Sequence, residues 1–379
     1  MHPLSKFISI NMNRLLSLDI LRGLDLFLLV GLQPIIISVL NQFEPNCVIS
    51  FLSEQFDHAK WEGFTMWDLV MPLFLFMSGV TLPFSLPKYL SQNTNKKLWF
   101  RVIKRVMVLF VLGMIVQGNV LSLDFNQIYI YSNTLQAIAI GYLIAVPITV
   151  YFKPKAQVAI IILMLILYTV PMCIFGDWTP SGNFACKVDK LILGRFRDGS
   201  YLDINGDWQF AQWYDYTWIW SSITFGCTVA MGSLAGAIIR YNGMSSNRRV
   251  LLLISVGTLL IIIGYIWGMW HPIIKRIWTG SMVLYSGGWC YVLLGVFYWL
   301  IDVKKRNRGL CWLQFYGCNA IAAYLIGEIV NFRSVAHSLL YGTEQYLGNW
   351  YSAVLTLSNS LIIFAILALL YRSKKFFKV

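Results

Sequence analysis

Continuous apolar runs of about 20 residues recur along the chain from near residue 20 to near residue 371. A helix needs about 20 mostly apolar residues to cross the roughly 30 Å hydrocarbon core of a bilayer. The runs are continuous, whereas outer-membrane barrel strands alternate apolar and polar positions. We therefore predict an all-α polytopic bundle that forms one transmembrane domain over residues 1–379. About ten spans are expected, near 20–40, 67–87, 102–121, 132–151, 156–175, 218–239, 250–270, 281–301, 311–331 and 351–371.

The composition agrees with a membrane protein. Of the 379 residues, 58% are hydrophobic and 12% are charged, whereas soluble domains carry about 25% charge. This balance excludes a cytosolic enzyme, a disordered protein and a nucleic-acid-binding protein, despite the formal charge of +13. We expect a multi-pass protein of the cytoplasmic (inner) membrane with the lipid bilayer as its first partner.

The distribution of charge predicts the orientation. With both termini inside, the cytoplasmic segments and span ends hold 22 of the 30 Lys and Arg residues, as the positive-inside rule requires. Two outer segments are then long, 41–66 and 176–217, and the second is rich in Trp, Tyr, Asp and Gly. The aromatic side chains of such a segment can stack on sugar rings. An aromatic belt at the membrane interface has the same composition and is the alternative interpretation. The seven cysteines show no spacing typical of a metal site, so we expect no metal.

Ionisable and polar residues near the spans are functional candidates, because they are costly in a bilayer. The topology puts one set toward the outer face: His58, Asp68, Gln136, Lys275 and Glu328. It puts a basic set at the inner face: Arg22, Arg101, Lys104 and Arg105. Gln33 and Asn319 lie between the two. His58 is the best chemical centre, since imidazole acts as base and acid near neutrality.

Two motifs carry a family resemblance. "RLLSLDILRG" covers Arg14 to Gly23, and "HAKWEGFTMWDLVMPLFLFMSGV" covers His58 to Val80. Further matches are "LQAIAIGY" around Gln136, "MGSLAGAII" at 231–239, "HPIIKRIWTGSMVL" at 271–284 and "CNAIAAYLIGEIV" at 318–330. With these motifs the chain resembles the transmembrane acetyltransferases typified by heparan-α-glucosaminide N-acetyltransferase. The resemblance extends over nearly all of residues 14–371.

The resemblance implies that His58 is catalytic and that acetyl-CoA is the donor substrate on the cytoplasmic side. The acetyl group then passes to an extracytoplasmic saccharide, at the amine of a glucosamine-like unit or at a hydroxyl. The chain looks like a compact bacterial-type member, without the large N-terminal region of the lysosomal enzyme. Gln33 stands where the family has an Asn partner of the histidine, and Ile274 replaces an Asn before Lys275.

The remaining roles follow from the two polar layers. His58 is the general base, or it carries the acetyl group itself. Asn319, Gln33 or Gln136 would donate to the thioester oxyanion, and Asp68 and Glu328 would orient His58 or bind the acceptor. Gln136, Lys275 and Trp61 are candidates for acceptor binding, with Lys275 holding an acidic sugar or capping its loop. The basic inner residues Arg22, Arg101, Lys104 and Arg105 are candidates for the CoA phosphates.

Structural roles compete with several of these assignments. Asp68 could instead cap the N-terminus of a helix, where a carboxylate satisfies free N–H groups. The inner basic residues could instead reflect the positive-inside rule alone. A transporter of a small solute or saccharide is the alternative function, because Pro72, Pro83 and Pro87 favour a broken second helix. A non-catalytic scaffold would tolerate replacement of His58. The sequence leaves a homodimer open.

Overall fold

A computed structural model describes residues 15–86 and 95–377. Arg14, Lys88 and Lys378, which contributed to the motif and the charge pattern, lie outside these residues, as does Pro87. Within the described chain, eight helical segments are long and apolar enough to cross a membrane. They are Leu16–Leu40, Met66–Ser85, Thr134–Tyr151, Pro154–Phe175, Ser222–Arg240, Ser246–Gly268, Gly280–Val303 and Arg333–Arg372. The predicted all-α polytopic fold is thus confirmed.

The secondary structure refines these segments. In chain order the helices are α1 (Leu16–Phe27), α2 (Gln33–Leu40), α3 (Cys47–Gln55), α4 (Val70–Val80), α5 (Leu82–Ser85), α6 (Asn95–Val116), α7 (Thr134–Tyr151), α8 (Pro154–Phe175), α9 (Phe184–Leu193), α10 (Ser222–Arg240), α11 (Ser246–Gly268), α12 (Gly280–Phe297), α13 (Leu313–Cys318), α14 (Ala320–Ile329), α15 (Arg333–Leu340), α16 (Glu344–Leu347) and α17 (Tyr351–Arg372). Wider π-helical turns follow α1 at Leu28–Leu32 and α12 at Tyr298–Val303. A short antiparallel hairpin pairs β1 (Ser200–Leu202) with β2 (Trp208–Phe210).

The two remaining predicted spans are α6 and the α13–α14 pair. Helix α6 has enough length, but its first three turns carry five Lys and Arg residues. The span predicted at 311–331 is divided at Asn319, whose φ of −118° and ψ of 40° interrupt the helix. Both segments overlap the predicted ranges. Helix α6 differs from the other spans in its charge, and the α13–α14 pair is divided by the break at Asn319.

Glycines allow the central helices to pack backbone to backbone. Gly79 of α4 and Gly232 of α10 face the partner helix so closely that a Cβ on either would overlap a carbonyl oxygen, of Val229 and Phe76 respectively. Gly317 of α13 lies in the same way against the Asp19 carbonyl of α1. Small residues allow such close approach in membrane bundles, where van der Waals packing drives helix association. The fold therefore has tightly closed helix pairs at its centre.

Contacts between loops define the two ends of the bundle. At one end, segments predicted to be extracytoplasmic contact one another, and a contact between two predicted spans, Asn133 to Tyr324, lies near them. The contacts are Trp61 Nε1 to Trp178 O (2.6 Å), Gly63 N to Ile273 O (2.9 Å), Thr217 N to Arg276 O (3.0 Å), Ile130 N to Phe196 O (3.0 Å) and Asn133 Nδ2 to Tyr324 Oη (3.0 Å). At the other end, Arg249 donates to Tyr298 and Tyr371 donates to Gln314. The grouping agrees with the predicted alternation of loops, and which end faces the cytoplasm stays a prediction.

Candidate active site

His58 lies on the irregular segment between α3 and α4, at the end of the bundle predicted to be extracytoplasmic. Asn46 caps α3 by accepting hydrogen bonds from the amides of Val48 and Ile49. After α3, the carboxylate of Asp57 accepts the His58 backbone N–H at 2.7 Å. This hydrogen bond fixes the backbone at His58, and the imidazole ring points toward Asp68. The His58 side chain is 33% exposed, so it remains accessible.

Asp68 performs the structural role and also holds the histidine. One carboxylate oxygen, Oδ2, accepts the backbone N–H groups of Thr65 (3.1 Å) and Ala59 (3.2 Å) and completes a capping box at the start of the turn that leads into α4. The other, Oδ1, lies 2.8 Å from His58 Nδ1. Asp68 is fully buried. A buried carboxylate in this geometry favours the tautomer with the proton on Nδ1, which leaves the Nε2 lone pair for chemistry.

Lys275 completes a three-residue cluster with His58 and Asp68. Its Nζ lies 2.9 Å from Nδ1 and 3.3 Å from Nε2 of His58, and 3.4 Å from Asp68 Oδ1. A donor in the ring plane at Nδ1 would be much farther from Nε2, so these similar distances place the ammonium over the face of the imidazole. The in-plane direction at Nδ1 is then left to Asp68. Lys275 is 6% exposed, which makes it a buried cation beside the histidine.

The pKa values follow from burial and from this cluster. Burial is the largest cause that lowers the pKa of His58 below 6.5; the Lys275 charge lowers it further, and the hydrogen bond to Asp68 opposes both. Burial lowers the pKa of Lys275 to about 8, against the raising effect of Asp68. At neutral pH the cluster therefore holds a carboxylate, an ammonium ion and a neutral imidazole. A neutral imidazole is the form that accepts a proton.

A cavity of about 260 Å³ opens beside the cluster. His58, Lys275 and Glu328 line it, together with Leu29, Trp67, Val70, Met71, Phe74, Gln117, Ser132, Thr134, Tyr214, Tyr216, Trp218 and Tyr324. Three of these aromatic residues form a wall, Tyr214–Tyr216–Trp218, with neighbouring ring centroids 6.1 and 6.4 Å apart. The sequence indicated the aromatic richness of this segment, but not which rings would face the histidine.

Two buried charged residues fix this wall, and sequence reasoning missed both. Asp189 of α9 accepts the backbone N–H groups of Trp218 (2.7 Å) and Ile219 (2.9 Å). Arg197, fully buried, donates to the Tyr214 carbonyl at 3.0 Å and lies over the Tyr214 ring. Burial raises the pKa of Asp189 to about 6. A charged residue stands out in the sequence when it lies within a span, whereas these two lie in an outer segment, so the pattern gave no signal for their burial.

Three predicted polar residues near this end support the site through the backbone. The Gln33 amide donates to the Phe56 carbonyl at 3.1 Å, two residues before His58. Gln136 accepts the amides of Ser132 (2.8 Å) and Asn133 (3.0 Å) and donates to the Ile130 carbonyl at 2.6 Å. Trp61 donates to the Trp178 carbonyl at 2.6 Å. Their polar atoms thus hold loops together at the end of the bundle that contains His58.

Asn319 and Ile274 lie away from the cavity lining. Asn319 is buried, and its Oδ1 accepts the backbone N–H of Phe377 near the C-terminus, at the opposite end of the bundle from His58. Ile274 is fully buried in an apolar cluster with Tyr168, Met172 and Ile277. The replacement of Asn by Ile before Lys275 therefore affects packing of the loop.

The predicted phosphate-binding residues lie at the end opposite His58. Arg101 and Lys104 of α6 flank a surface recess of about 500 Å³ together with Lys96, Lys97 and Phe100. Arg105 turns into the bundle, where its guanidinium lies 4.4 Å from the centroid of the Tyr142 ring. Arg22 is half-buried on α1. In the part of the chain that the structure describes, no group of three or more His, Cys, Asp or Glu side chains is placed to hold a metal.

Fold and site together define a polytopic helical membrane protein with a carboxylate–histidine–lysine cluster over a cavity at one end. Residues 14–179, which contain His58 and Asp68, match the family described as heparan-alpha-glucosaminide N-acetyltransferase, catalytic. The chain is also 22% identical over 332 residues to heparan-alpha-glucosaminide N-acetyltransferase of Mus musculus, covering 73% of this chain and 49% of the mouse protein. The resemblance inferred from the motifs is thus confirmed. This chain spans about half the length of that curated relative.

Proposed function

We propose that this protein is a transmembrane acetyltransferase that moves an acetyl group from acetyl-CoA to an extracytoplasmic saccharide. The observation that carries the proposal is the position of His58, whose Nδ1 is held by Asp68 at 2.8 Å while the ring lines a cavity. A general base must have its lone pair directed at the acceptor proton. The tautomer set by Asp68 directs Nε2 away from the carboxylate and leaves it for the acceptor.

The chemistry requires an acceptor amine or hydroxyl within hydrogen-bond reach of Nε2. His58 removes the acceptor proton as the nucleophile attacks the thioester carbonyl, and the imidazolium then protonates the departing CoA thiolate. Asp68 stabilises the imidazolium between the two transfers. Direct attack and an acetyl-histidine intermediate remain alternatives, and a burst of CoA release without acceptor separates them.

The two ends of the bundle suit the two substrates. The recess flanked by Lys96, Lys97, Arg101 and Lys104 supplies positive charge for the phosphates of CoA. Helix α6 runs from this recess to Val116, and the next residue, Gln117, lines the cavity beside His58. From Lys104 to Gln117 the helix rises about 20 Å. We therefore place the nucleotide of CoA at the basic recess and its extended pantetheine arm along α6.

The acceptor side suits a saccharide. The Tyr214–Tyr216–Trp218 wall offers apolar ring faces for sugar C–H groups. Glu328 and Gln117 line the same cavity and supply acceptors for hydroxyl or ammonium protons. A glucosamine-like unit combines both requirements, because it presents a ring face and an amine.

The test is acetyl-CoA turnover by the purified protein with a panel of amino sugars and polysaccharide fragments. His58→Ala is expected to abolish acceptor-dependent CoA release while CoA binding persists. The matched control is His337→Ala, since His337 contacts Tyr351 at 2.9 Å on a different segment and its loss should leave turnover intact. Full turnover by His58→Ala would overturn the proposal, as would solute transport without CoA release by the native protein.

A further inference from the structure

Acyl transfer forms an oxyanion at the thioester carbonyl, and the site must supply a donor for it. The amides predicted for this task have other partners: the Gln33 amide bonds the Phe56 carbonyl, and Gln136 caps α7. Asn319 lies at the other end of the bundle with Phe377. The other groups near His58 Nε2, where the nucleophile is activated, are therefore the candidates for this donor.

Lys275 meets this requirement. Its ammonium lies 3.3 Å from Nε2 and lines the cavity, so an acyl carbonyl attacked by a nucleophile hydrogen-bonded to Nε2 is within its reach. We propose that Lys275 is a further catalytic residue, whose ammonium group stabilises the oxyanion of the tetrahedral intermediate. This inference rests on the acyltransferase function proposed above.

In the transfer, each bond that forms is matched by a bond that breaks. The acceptor lone pair forms a bond to the carbonyl carbon while Nε2 of His58 takes the acceptor proton, and the carbonyl π electrons move to oxygen. The resulting oxyanion is paired with the Lys275 ammonium, which stays protonated. The carbonyl then re-forms, the carbon–sulfur bond breaks, and the imidazolium proton passes to the CoA sulfur. The products are the acetylated acceptor and CoA.

The loop that carries Lys275 is held rigidly, as electrostatic stabilisation requires. Backbone carbonyls on both sides of Lys275 are tied to other segments: Ile273 O accepts from Gly63 N at 2.9 Å, and Ile277 O accepts from Ser221 Oγ at 3.0 Å. Trp278, fully buried, has a φ of +53°, which is strained for a bulky residue. The packing of its ring against Phe225 maintains that conformation. The ammonium is thus positioned before any substrate binds.

Lys275 contacts the His58 ring, whereas the neighbouring cation, Arg276, is paired with a different carboxylate. Arg276, the next residue, forms an ion pair with Asp215 at 2.5 Å. The titratable and charged groups around His58 are Asp57 on its own segment, Asp68 before α4, Lys275 on the α11–α12 loop, Tyr216 on the aromatic wall and Glu328 on α14. Burial lowers the pKa of Lys275 to about 8, so the ammonium predominates at pH 7 and is lost above pH 8.

The first test compares Lys275→Met with a matched control, Lys60→Met. Lys60 belongs to the His58 segment and is exposed, so its replacement removes an equal charge without touching the imidazole. Lys275→Met is expected to lower kcat by about 10²- to 10³-fold, the usual effect of losing one oxyanion donor, with little change in KM. Lys60→Met should retain native kcat. A loss by Lys275→Met confined to KM would overturn the proposal and indicate acceptor binding.

The native protein supplies a second test that needs no variant. Its kcat should fall as the pH rises through about 8, because the ammonium of Lys275 deprotonates. Neutral His58 and a deprotonated acceptor amine would both favour a higher rate over the same range. A kcat that keeps rising beyond that pH would refute the role of Lys275.

A third measurement separates this inference from the function on which it rests. NMR titration of His58 requires no turnover, and Lys275→Met should raise its pKa because a nearby positive charge is removed. Lys275→Arg should restore part of kcat, whereas an uncharged Lys275→Gln should restore less. If native protein turns over acetyl-CoA and Lys275→Met matches it, this inference alone fails. If His58→Ala also retains turnover, the proposed function fails.

Discussion

Replacement of Asp68 by Asn tests how the fold sets the chemistry of His58. The substitution keeps the size of the side chain and removes its charge. Oδ2 of Asp68 accepts two backbone N–H groups, from Thr65 and Ala59, and the amide oxygen of Asn can take over these hydrogen bonds. The amide nitrogen then faces His58 Nδ1, where it donates. This reverses the tautomer, because the proton must move to Nε2.

The expected loss follows from two effects. A charge-assisted hydrogen bond contributes about 1.5–3 kcal/mol, which corresponds to about ten- to 150-fold in rate at about 1.4 kcal/mol per decade. Reversal of the tautomer removes the base lone pair as well, and in serine proteases the equivalent change costs about 10⁴-fold. We therefore expect kcat to fall by about 10²- to 10⁴-fold. The charge of Lys275 also loses its buried partner, so the melting temperature should decrease.

The assay is acceptor-dependent CoA release, combined with isothermal titration of CoA and a thermal melt in detergent. CoA affinity should be unchanged, because the basic recess lies at the other end of the bundle. Asp124→Asn is the matched control, since Asp124 also caps a turn by accepting a backbone N–H, that of Asn126, at 2.9 Å. An Asp68→Asn protein that retains more than a tenth of native kcat would refute the orienting role of the carboxylate.

Three further predictions concern pH, packing and the donor site. The acid limb of the kcat profile should lie below pH 6.5, because burial lowers the pKa of His58 in the folded protein. The unfolded state binds more protons than the folded state below pH 6.5, so the free energy of unfolding should also decrease as the pH falls below that value. Gly317→Ala should destabilise the bundle by about 3 kcal/mol or more in a denaturation series, since its Cβ would overlap the Asp19 carbonyl. The control, Gly342→Ala, should be neutral, because nothing lies within 4 Å of its added Cβ. Lys104→Glu should weaken CoA binding with kcat little changed, measured by titration and initial rates; unaltered affinity would indicate that the basic recess has only a topogenic role.

Much of the fold was predictable because the bilayer imposes strict rules on the sequence. Eight of the ten spans predicted from apolar length coincide with helical segments long and apolar enough to cross a membrane, and the other two overlap the charged α6 and the α13–α14 pair. The break at Asn319 was not predictable from hydropathy, because the residues on both sides stay apolar. A carboxylate partner for His58, either Asp68 or Glu328, was expected from their placement toward one face, and in the structure Asp68 is the carboxylate in contact with the ring.

The contacts that depend on tertiary structure were harder to predict. Lys275 is 217 residues from His58 in sequence, and no local pattern reports the angle at which its loop approaches the ring. Gln136 and Gln33 were assigned to substrate chemistry as costly polar groups, although backbone groups satisfy them at short range. A Gln side chain can be buried because it hydrogen-bonds a loop carbonyl that would otherwise be unpaired, and not only because it binds a ligand. The distinction requires knowledge of which backbone groups each loop leaves unsatisfied.

Under the proposed function, one bundle would join two compartments. The α4–α10 and α1–α13 contacts are closed at backbone distance by Gly79, Gly232 and Gly317, so no substrate passes between these helices. Helix α6 also packs closely on α7, since a Cβ on Gly113 would overlap the Gln136 side chain, and its neighbour α14 is short and follows a break. Under the proposed function, the thin and flexible pantetheine arm of CoA would run along α6, whereas the charged nucleotide would stay at the surface, because its desolvation in hydrocarbon is too costly. The donor would then stay anchored at one surface and present its thioester at the other, and the acceptor would need no transport at all.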